Sequence, residues 1–354
     1  MKLYKCISKT KALLIWTLLL LSSAGLFVFA QECKAGAVSG IFLCAGVLVP
    51  SLFPFCIISS FMGESSLAEC LSPLFNPVGK ILLNRRGICV IPLVMSLAGG
   101  YPIGARTIAA LYKKGLMTKS EASDISLIAV GAGPGFLITF VGISLLGSKE
   151  SGIILLSSQI ISMVVLCLIL RFTRKPDTTP DSEISPVTTL SASEALVNAV
   201  SDSVKAMGAM CGFVILFSVL CSVLTEGLNI KGIFADILLS LLEVTTGVTT
   251  LSGKQSLIYI SMLTGFGGLC VHLQIFRELK GIPFSKKRFY LYRIYQSISS
   301  LFATKILLLI FPVKEAVFSS IDYKPQVNLY STIIAFGALA VTSVFFILSL
   351  HKKA

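Results

Sequence analysis

Apolar segments of about 20 residues recur along the chain, and this repetition constrains the fold more than any other feature. A helix needs about that many apolar residues to cross a hydrocarbon core roughly 30 Å thick. Only 13% of the 354 residues are charged, against roughly 25% in soluble domains, so there are too few charges to cover a globular surface. The sequence predicts an all-α polytopic membrane protein with about eight transmembrane helices. The expected crossings are Leu13–Ala30, Gly36–Met62, Ile125–Gly147, Ile153–Leu170, Val204–Leu224, Ser256–Leu273, Ser297–Phe311 and Leu329–Leu350.

Basic residues are concentrated in alternate loops, and this distribution indicates how the chain is oriented. With both termini placed in the cytoplasm, 21 of the 30 Lys and Arg residues fall in inside segments and six in outside loops. The positive-inside rule expects this asymmetry. The net charge of +13 therefore indicates orientation and contact with anionic lipid, and no nucleic-acid partner is expected.

Composition divides the chain into two membrane halves, residues 36–170 and 207–312. Between them, residues 171–206 are rich in Pro, Ser and Thr, and we interpret them as a cytoplasmic linker that becomes helical from about Ala192. Residues 1–35 fit either a cleavable signal peptide or a first transmembrane helix, and we favour the uncleaved helix. Residues 313–354 are expected to form a last transmembrane helix and a basic tail.

Each half contains a short apolar segment interrupted by small residues, followed by a span with a glycine cluster. These are Ser96–Ala105 and Val130–Gly142 in the first half, and Ser240–Gly253 and Leu263–Gln274 in the second. Basic residues flank the first short segment, so it should enter and leave by the cytoplasmic face, whereas the second should enter from outside. The sequence thus predicts two re-entrant or broken-helix hairpins in two inverted-topology halves. That arrangement is typical of a transporter binding site.

The candidate substrate-binding residues lie at these interruptions. Broken backbone persists at membrane depth only where it is buried in protein or lines a cavity. A close helix crossing at small residues is the alternative explanation. The candidates are Gly99, Gly100, Tyr101, Pro102, Gly104, Gly133, Pro134, Gly135, Glu243, Thr245, Thr246, Gly267, Gly268, His272 and Gln274.

Glu243 is the acid placed deepest in an apolar segment, where a charge costs roughly 2.5–3.5 kcal/mol on insertion scales. With the hydroxyls of Thr245 and Thr246, it could bind a substrate hydroxyl or amine, or carry a coupling proton or cation. A solvated position near the outer interface is the alternative. His272 fits an interfacial residue or a ligand, and Arg106 is expected to anchor a helix end among the lipid headgroups.

Motifs for catalysis, cofactors and metals are missing from the sequence. No nucleotide-binding, zinc or hydrolase motif stands in a credible context, and no nucleophile–base pair is apparent. The ten cysteines contain no CxxC pair and mostly lie in apolar runs. We therefore expect no enzyme activity, no catalytic residue, no cofactor and no metal site.

Four segments resemble the YlbJ-type sporulation integral membrane proteins. They are Gly99–Ala122, Gly131–Phe136, Leu241–Ser252 and Phe266–Gln274, within a resemblance that covers about residues 36–310. That group is similar to the wider set of proteins with a nucleoside-recognition or Gate domain, found in nucleoside and ferrous-iron transporters. The resemblance implies the plasma membrane of an endospore-forming bacterium and a role in making the spore envelope or cortex. It does not imply a nucleoside substrate, because a shared fold does not carry function.

Two functions from different classes follow. The first is a transporter or permease with its site between the two interrupted segments; the second is a non-transporting membrane scaffold or assembly factor for sporulation. Expected partners are membrane lipid and, at the site, a small polar solute, a proton or a cation. A second copy of the chain is a further candidate partner.

The charge asymmetry predicts that the linker between the halves is cytoplasmic. In a cysteine-free background, a thiol introduced by Ser182→Cys should stay unlabelled by membrane-impermeant reagents in intact cells and react after the cells are opened. Labelling in intact cells would contradict this prediction and would place the linker outside the cell.

Overall fold

The computed structural model describes residues 16–17, 23–173, 191–251 and 256–313, and every regular element in them is helical. The predicted all-α class is therefore confirmed for this part of the chain. The helices are α1 (Ala30–Glu64), α2 (Leu67–Leu83), α3 (Ile91–Gly99), α4 (Ile103–Lys113), α5 (Lys119–Ile125), α6 (Gly135–Leu145), α7 (Lys149–Thr173), α8 (Ala192–Gly227), α9 (Ile233–Leu242), α10 (Val244–Leu251), α11 (Leu257–Phe266), α12 (Gly268–Glu278) and α13 (Lys286–Ile310).

Within the described ranges, four helices are long and apolar enough to cross a membrane. Three are α1, α7 and α8, and the fourth is Leu257–Glu278, formed by α11 and α12 together. A fifth crossing results if α2 and Gly87–Gly99, bent by 79° relative to each other, form one span. The total of about eight stays a prediction.

Several expected crossings have a different form in the structure. Ile125–Gly147 is not one continuous helix, because backbone without regular structure at 129–133 separates α5 from the short helix α6. Ser297–Phe311 forms the last part of α13, whose first turn is basic. Leu329–Leu350 lies outside the described residues, as do residues 13–15 and 18–22 of Leu13–Ala30 and the C-terminal part of the chain from residue 314.

A π-helical turn at Cys44–Leu48 divides α1 into two parts. Before this turn, α1 packs closely against α8: a Cβ on Gly36 would lie 2.7 Å from the carbonyl oxygen of Ser218. After the turn, α1 also packs against α4, where the hydroxyls of Ser59 and Thr107 are 2.9 Å apart. Membrane helices commonly approach closely at small residues, because no hydrophobic force draws helices together in lipid.

Helix breaks occur at the interruptions that the sequence predicts. α3 and α4 are separated at Gly100, which has a φ of +87°, and α9 and α10 are separated at Glu243, whose backbone is extended. α11 and α12 are separated at Gly267, which has a φ of +91°. Positive φ favours glycine because it has no Cβ.

The described part of the linker is helical. α7 ends at Thr173, and α8 begins at Ala192, where the helical part of the linker was expected. Ser191 and Glu194 form a capping box at this start, which satisfies backbone N–H groups of the first turn. Residues 174–190 lie outside the described residues.

Two ion pairs fix α5 to the turn after α2. Arg85 Nη2 lies 2.7 Å from Asp124 Oδ2, and Arg86 Nη2 lies 2.6 Å from Glu121 Oε2. Burial acts to raise the pKa of Glu121, but hydrogen bonds from Arg86 and from the Thr118 N–H outweigh it, so the pKa lies below the ordinary 4.5. Glu121 is therefore ionised at neutral pH, and its ion pair holds the chain just before the irregular segment 129–133.

Gly104 allows α4 to lie directly against that irregular segment. A Cβ on Gly104 would be 2.3 Å from the carbonyl oxygen of Ala129, so we expect Gly104→Ala to destabilise the protein, by about 1–3 kcal/mol if it acts as other overpacked sites do. Thermal unfolding of the purified protein in detergent measures this as a lower midpoint.

Gly208→Ala in α8 is the matched control, because no atom lies within 4 Å of the added Cβ. It should leave the midpoint unchanged or raise it slightly, since alanine favours helix over glycine. Equal midpoints for the two variants would contradict the close packing of α4 on residue 129.

Candidate functional site

A cavity of about 50 Å³ lies where the helix breaks meet. Its walls come from the middle of α1, the α3–α4 break, the start of α6, the α9–α10 break, and single turns of α8 and α12. The volume suits a few water molecules or a small ion rather than a large solute. The sequence-predicted residues that line it are Gly99, Gly100, Tyr101, Gly133, Gly135, Glu243, Thr245 and Gln274.

Two glycine breaks of the first half touch each other at this cavity. A Cβ on Gly133 would lie 2.8 Å from the backbone nitrogen of Gly100 and 3.1 Å from the carbonyl oxygen of Ala98. The Ala98 carbonyl would bond the N–H of residue 102 in a continuous helix, but that residue is Pro102, which has no N–H. The break therefore brings a main-chain carbonyl to the cavity wall.

Glu243 caps the N-terminus of α10 with its own side chain. Its carboxylate accepts hydrogen bonds from the backbone N–H groups of Thr245, at 3.0 Å, and Thr246, at 2.5 Å. Thr245 and Thr246 therefore contact the carboxylate through their backbone N–H groups. A carboxylate at this position is favourable because it faces unpaired N–H groups at the positive end of the helix.

Glu243 is only 2% exposed, so the alternative of a solvated residue at the outer interface is wrong. The hydrogen bonds that Glu243 accepts also affect the C-terminal carbonyls of α9. The N–H groups of Thr245 and Thr246 would otherwise bond the carbonyls of Leu241 and Leu242, the last residues of α9. The break thus carries a carboxylate and two carbonyls that the helix ladder no longer uses.

The cavity wall carries an acidic side chain without a basic one beside it. Among the described residues that line the cavity, Glu243 is the one acidic residue, and none is lysine, arginine or histidine. A buried ion without a counter-ion is costly in a low dielectric. The cavity is therefore electrostatically suited to a proton, a cation or a donor group of a polar solute.

Tyr101 connects the cavity to the second half of the chain. Its ring lines the cavity, and its hydroxyl donates a hydrogen bond to the carbonyl oxygen of Thr264 in α11. Gly267 lies beside the same ring, since its Cβ would be 3.5 Å from Tyr101 Cε1. Gly268 lies beside the α9–α10 break, with its Cβ position 3.2 Å from the nitrogen of Val244.

The other predicted site residues lie off the cavity wall. Pro102 and Pro134 precede the first residues of α4 and α6, and Gly104 packs on the irregular segment. Thr246 contacts Glu243 through its backbone N–H, which donates to the carboxylate. The cavity does not include His272, which is 1% exposed and whose Nε2 lies 2.9 Å from the carbonyl oxygen of Phe266.

Sequence reasoning missed Arg293, the largest fully buried side chain described. Its Nη2 donates to the carbonyl of Leu127 at 2.6 Å, and its Nη1 donates to Gln296 Oε1 at 2.5 Å and to the carbonyl of Val130 at 3.3 Å. The guanidinium also lies 5.3 Å from the ring centre of Phe289. Arg293 therefore supplies donors to carbonyls of the segment that leads into Gly133.

A chain of hydrogen bonds runs from Arg293 to the cavity. Gln296 donates to Gln159 Oε1 at 3.1 Å, and Gln159 donates to the hydroxyl of Thr264 at 3.3 Å. The carbonyl of Thr264 in turn accepts from Tyr101. One sequence signal could have revealed this network, because polar residues recur at helical spacing along α13: Arg293, Gln296, Ser300 and Thr304.

The position of Arg106 also differs from the prediction that it anchors a helix end among the lipid headgroups. It is not placed at an exposed helix end, because its side chain is 12% exposed and pairs with Glu278 at 3.4 Å. Its Nη2 also donates to the hydroxyl of Ser60 at 2.6 Å. α4 is thereby joined to both α1 and α12.

Comparison with known proteins gives one informative match. The chain is 25% identical over 332 residues to the sporulation integral membrane protein YlbJ of Bacillus subtilis strain 168, covering 82% of this chain and 81% of that protein. No family model matches the chain, and no solved structure matches it. The resemblance to YlbJ is thus supported over most of the chain, while the resemblance to Gate domains stays a prediction.

We predict that Arg293 stabilises the irregular segment through its hydrogen bonds. Arg293→Met keeps much of the side-chain volume but leaves buried acceptors without their donor, which costs about 1–3 kcal/mol for each such group. The thermal midpoint in detergent should fall clearly, and Arg293→Lys should restore it only in part, because an ammonium cannot reproduce the planar fork.

Lys305→Met is the matched control, since it removes a charge from an exposed position on the same helix. Its midpoint should stay close to that of the parent. A midpoint for Arg293→Met that equals the control would show that the carbonyls of residues 127 and 130 do not depend on Arg293.

Proposed function

We propose that this protein is a membrane permease that binds a small polar solute, a proton or a cation in the central cavity. One observation carries the proposal: Glu243 is buried at a helix break and lines the cavity, and none of the described residues that line it with Glu243 is basic. Ionisable residues inside a membrane are expensive and usually functional. Discontinuous helices whose ends point at a shared cavity are the usual construction of secondary-transporter sites.

The proposed topology adds further crossings and a membrane orientation to the helices that the structure describes. It has about eight crossings, with the α3–α4 and α9–α10 breaks belonging to two halves of inverted topology, as in a Gate-type fold. Both termini and the linker face the cytoplasm. Supporting observations are the charge asymmetry of the loops and the meeting of both breaks at one cavity.

The proposed biological role is in sporulation, at the plasma membrane of an endospore-forming bacterium, in making the spore envelope or cortex. It rests on the similarity to YlbJ over most of both chains. Neither enzymatic activity nor a cofactor is part of the proposal.

A scaffold without transport is the second candidate, and the small cavity favours it. A volume of about 50 Å³ does not hold a solute the size of a nucleoside. In that case Glu243 would serve only as the cap of α10.

Three substitutions of Glu243 separate these functions in a sporulation complementation assay with protein levels measured in parallel. Glu243→Ser retains a good helix cap without an ionisable group, Glu243→Gln retains the size, and Glu243→Ala removes both. A permease that needs the charge should lose sporulation in all three variants, with normal abundance for Glu243→Ser.

Glu226→Gln is the control, because it removes an acid at the exposed end of α8 and should sporulate normally. If Glu243→Ser supports full sporulation while Glu243→Ala fails through low abundance, the residue is a structural cap and the permease site is wrong. Normal sporulation by Glu243→Ala would exclude both roles.

A further inference from the structure

A second, larger cavity of about 260 Å³ opens near the ends of α1, α4 and α12. We call it the vestibule. It is lined by three basic and three acidic residues and four small ones: Arg106, Lys113, Lys114, Glu64, Asp202, Glu278, Ser60, Gly63, Ala109 and Ala110. A wall with balanced charges suits polar solutes of low net charge.

The vestibule and the central cavity share the helices α1, α8 and α12. On α8, Asp202 precedes the cavity residue Val214 by twelve positions, or about 18 Å along the helix axis. Arg106 lies in the first turn of α4, directly after the α3–α4 break whose residues Gly100 and Tyr101 line the central cavity. On α12, Glu278 follows Gln274 by four positions, or about 6 Å. On α1 the vestibule begins eight residues, or about 12 Å, after the last cavity residue. The two cavities are therefore stacked along the same helices.

Arg106 and Glu278 form an ion pair in the vestibule wall, and along α4 and α12 they are the vestibule residues nearest the central cavity. Arg106 Nη1 is 3.4 Å from Glu278 Oε2, and the two side chains are 12% and 8% exposed. Arg106 also binds Ser60, whose hydroxyl is 3.4 Å from that of Ser203 on α8. These polar contacts join four helices across the floor of the vestibule.

The Arg106–Glu278 ion pair has features that would allow it to break as well as to form. Arg106 and Glu278 lie on α4 and α12, and each of these helices begins at a glycine-containing break. The Nε atom of Arg106 is buried without a hydrogen-bond partner, so the closed arrangement does not satisfy the guanidinium fully. Arg277 also contacts Glu278, so neutralising Glu278 would leave two guanidinium groups facing each other.

We propose that the vestibule is the mouth of the route to the central cavity, and that the Arg106–Glu278 ion pair is its closed gate. The proposal rests on the proposed permease function. The vestibule would admit small polar solutes without a large net charge, and separation of α4 from α12 would connect the two cavities. Ser60 holds Arg106 in the closed position.

Thiol accessibility tests the gate without measuring transport. Thr245→Cys places a thiol on the central cavity, at a position that is 7% exposed, in an otherwise cysteine-free full-length protein in lipid nanodiscs. A hydrophilic methanethiosulfonate reagent should react slowly with it. Adding Glu278→Gln or Arg106→Gln should raise the rate about tenfold or more, and the charge exchange Arg106→Glu with Glu278→Arg should lower it again.

Glu226→Gln is the control, because it removes an exposed acid from the end of α8 that lines neither cavity, and it should leave the rate unchanged. Lys113→Cys, at the exposed rim, should react quickly in every background. The gate is wrong if the cavity thiol reacts quickly in the parent, or if neither neutral variant changes its rate while the rim thiol reacts. Either result leaves the sporulation test of Glu243 unaffected, so a failed gate and a failed permease remain distinguishable.

Discussion

Every backbone N–H and C=O group within a bilayer must find a partner inside the protein, and the described structure depends on how this requirement is met at its helix breaks. At the α9–α10 break, the carboxylate of Glu243 accepts two N–H groups of the following helix. Before α6, Arg293 and Gln296 both donate to the carbonyl of Val130 in the irregular segment. The polar side chains in the interior thus stabilise breaks, and the breaks form the walls of the cavity.

The sequence predicted these breaks well, because glycine and proline are strong local signals. The interruptions at Gly100, Glu243 and Gly267 are helix ends in the structure. The cavity also contains eight of the predicted residues, since broken helices within an apolar protein need a common polar environment. The residues around each break were therefore sufficient to predict where the helices end.

Arg293 and Arg106 could not be predicted in the same way, because their roles depend on contacts between distant parts of the chain. Arg293 binds the carbonyl of Leu127, 166 residues earlier, and Arg106 pairs with Glu278, 172 residues later. Near the end of an apolar segment, an arginine usually reaches the headgroups. A single sequence does not show that a carbonyl or a carboxylate lies within the protein at the same depth.

The π-helical turn of α1 lets this helix pack on α8 with its first part and line the central cavity after the turn. An α-helix advances by about 100° per residue, so one extra residue in a turn rotates everything after it by about that angle. Before the turn, α1 presents glycines to α8; just after it, Ser51 and Leu52 face the cavity. A deletion of one residue from Cys44–Leu48 would therefore turn the cavity-facing side of α1 toward another part of the molecule while leaving the packing of Gly36 and Gly40 on α8 in place. The geometry of the cavity wall is thus encoded in the length of this turn as well as in the identity of its residues.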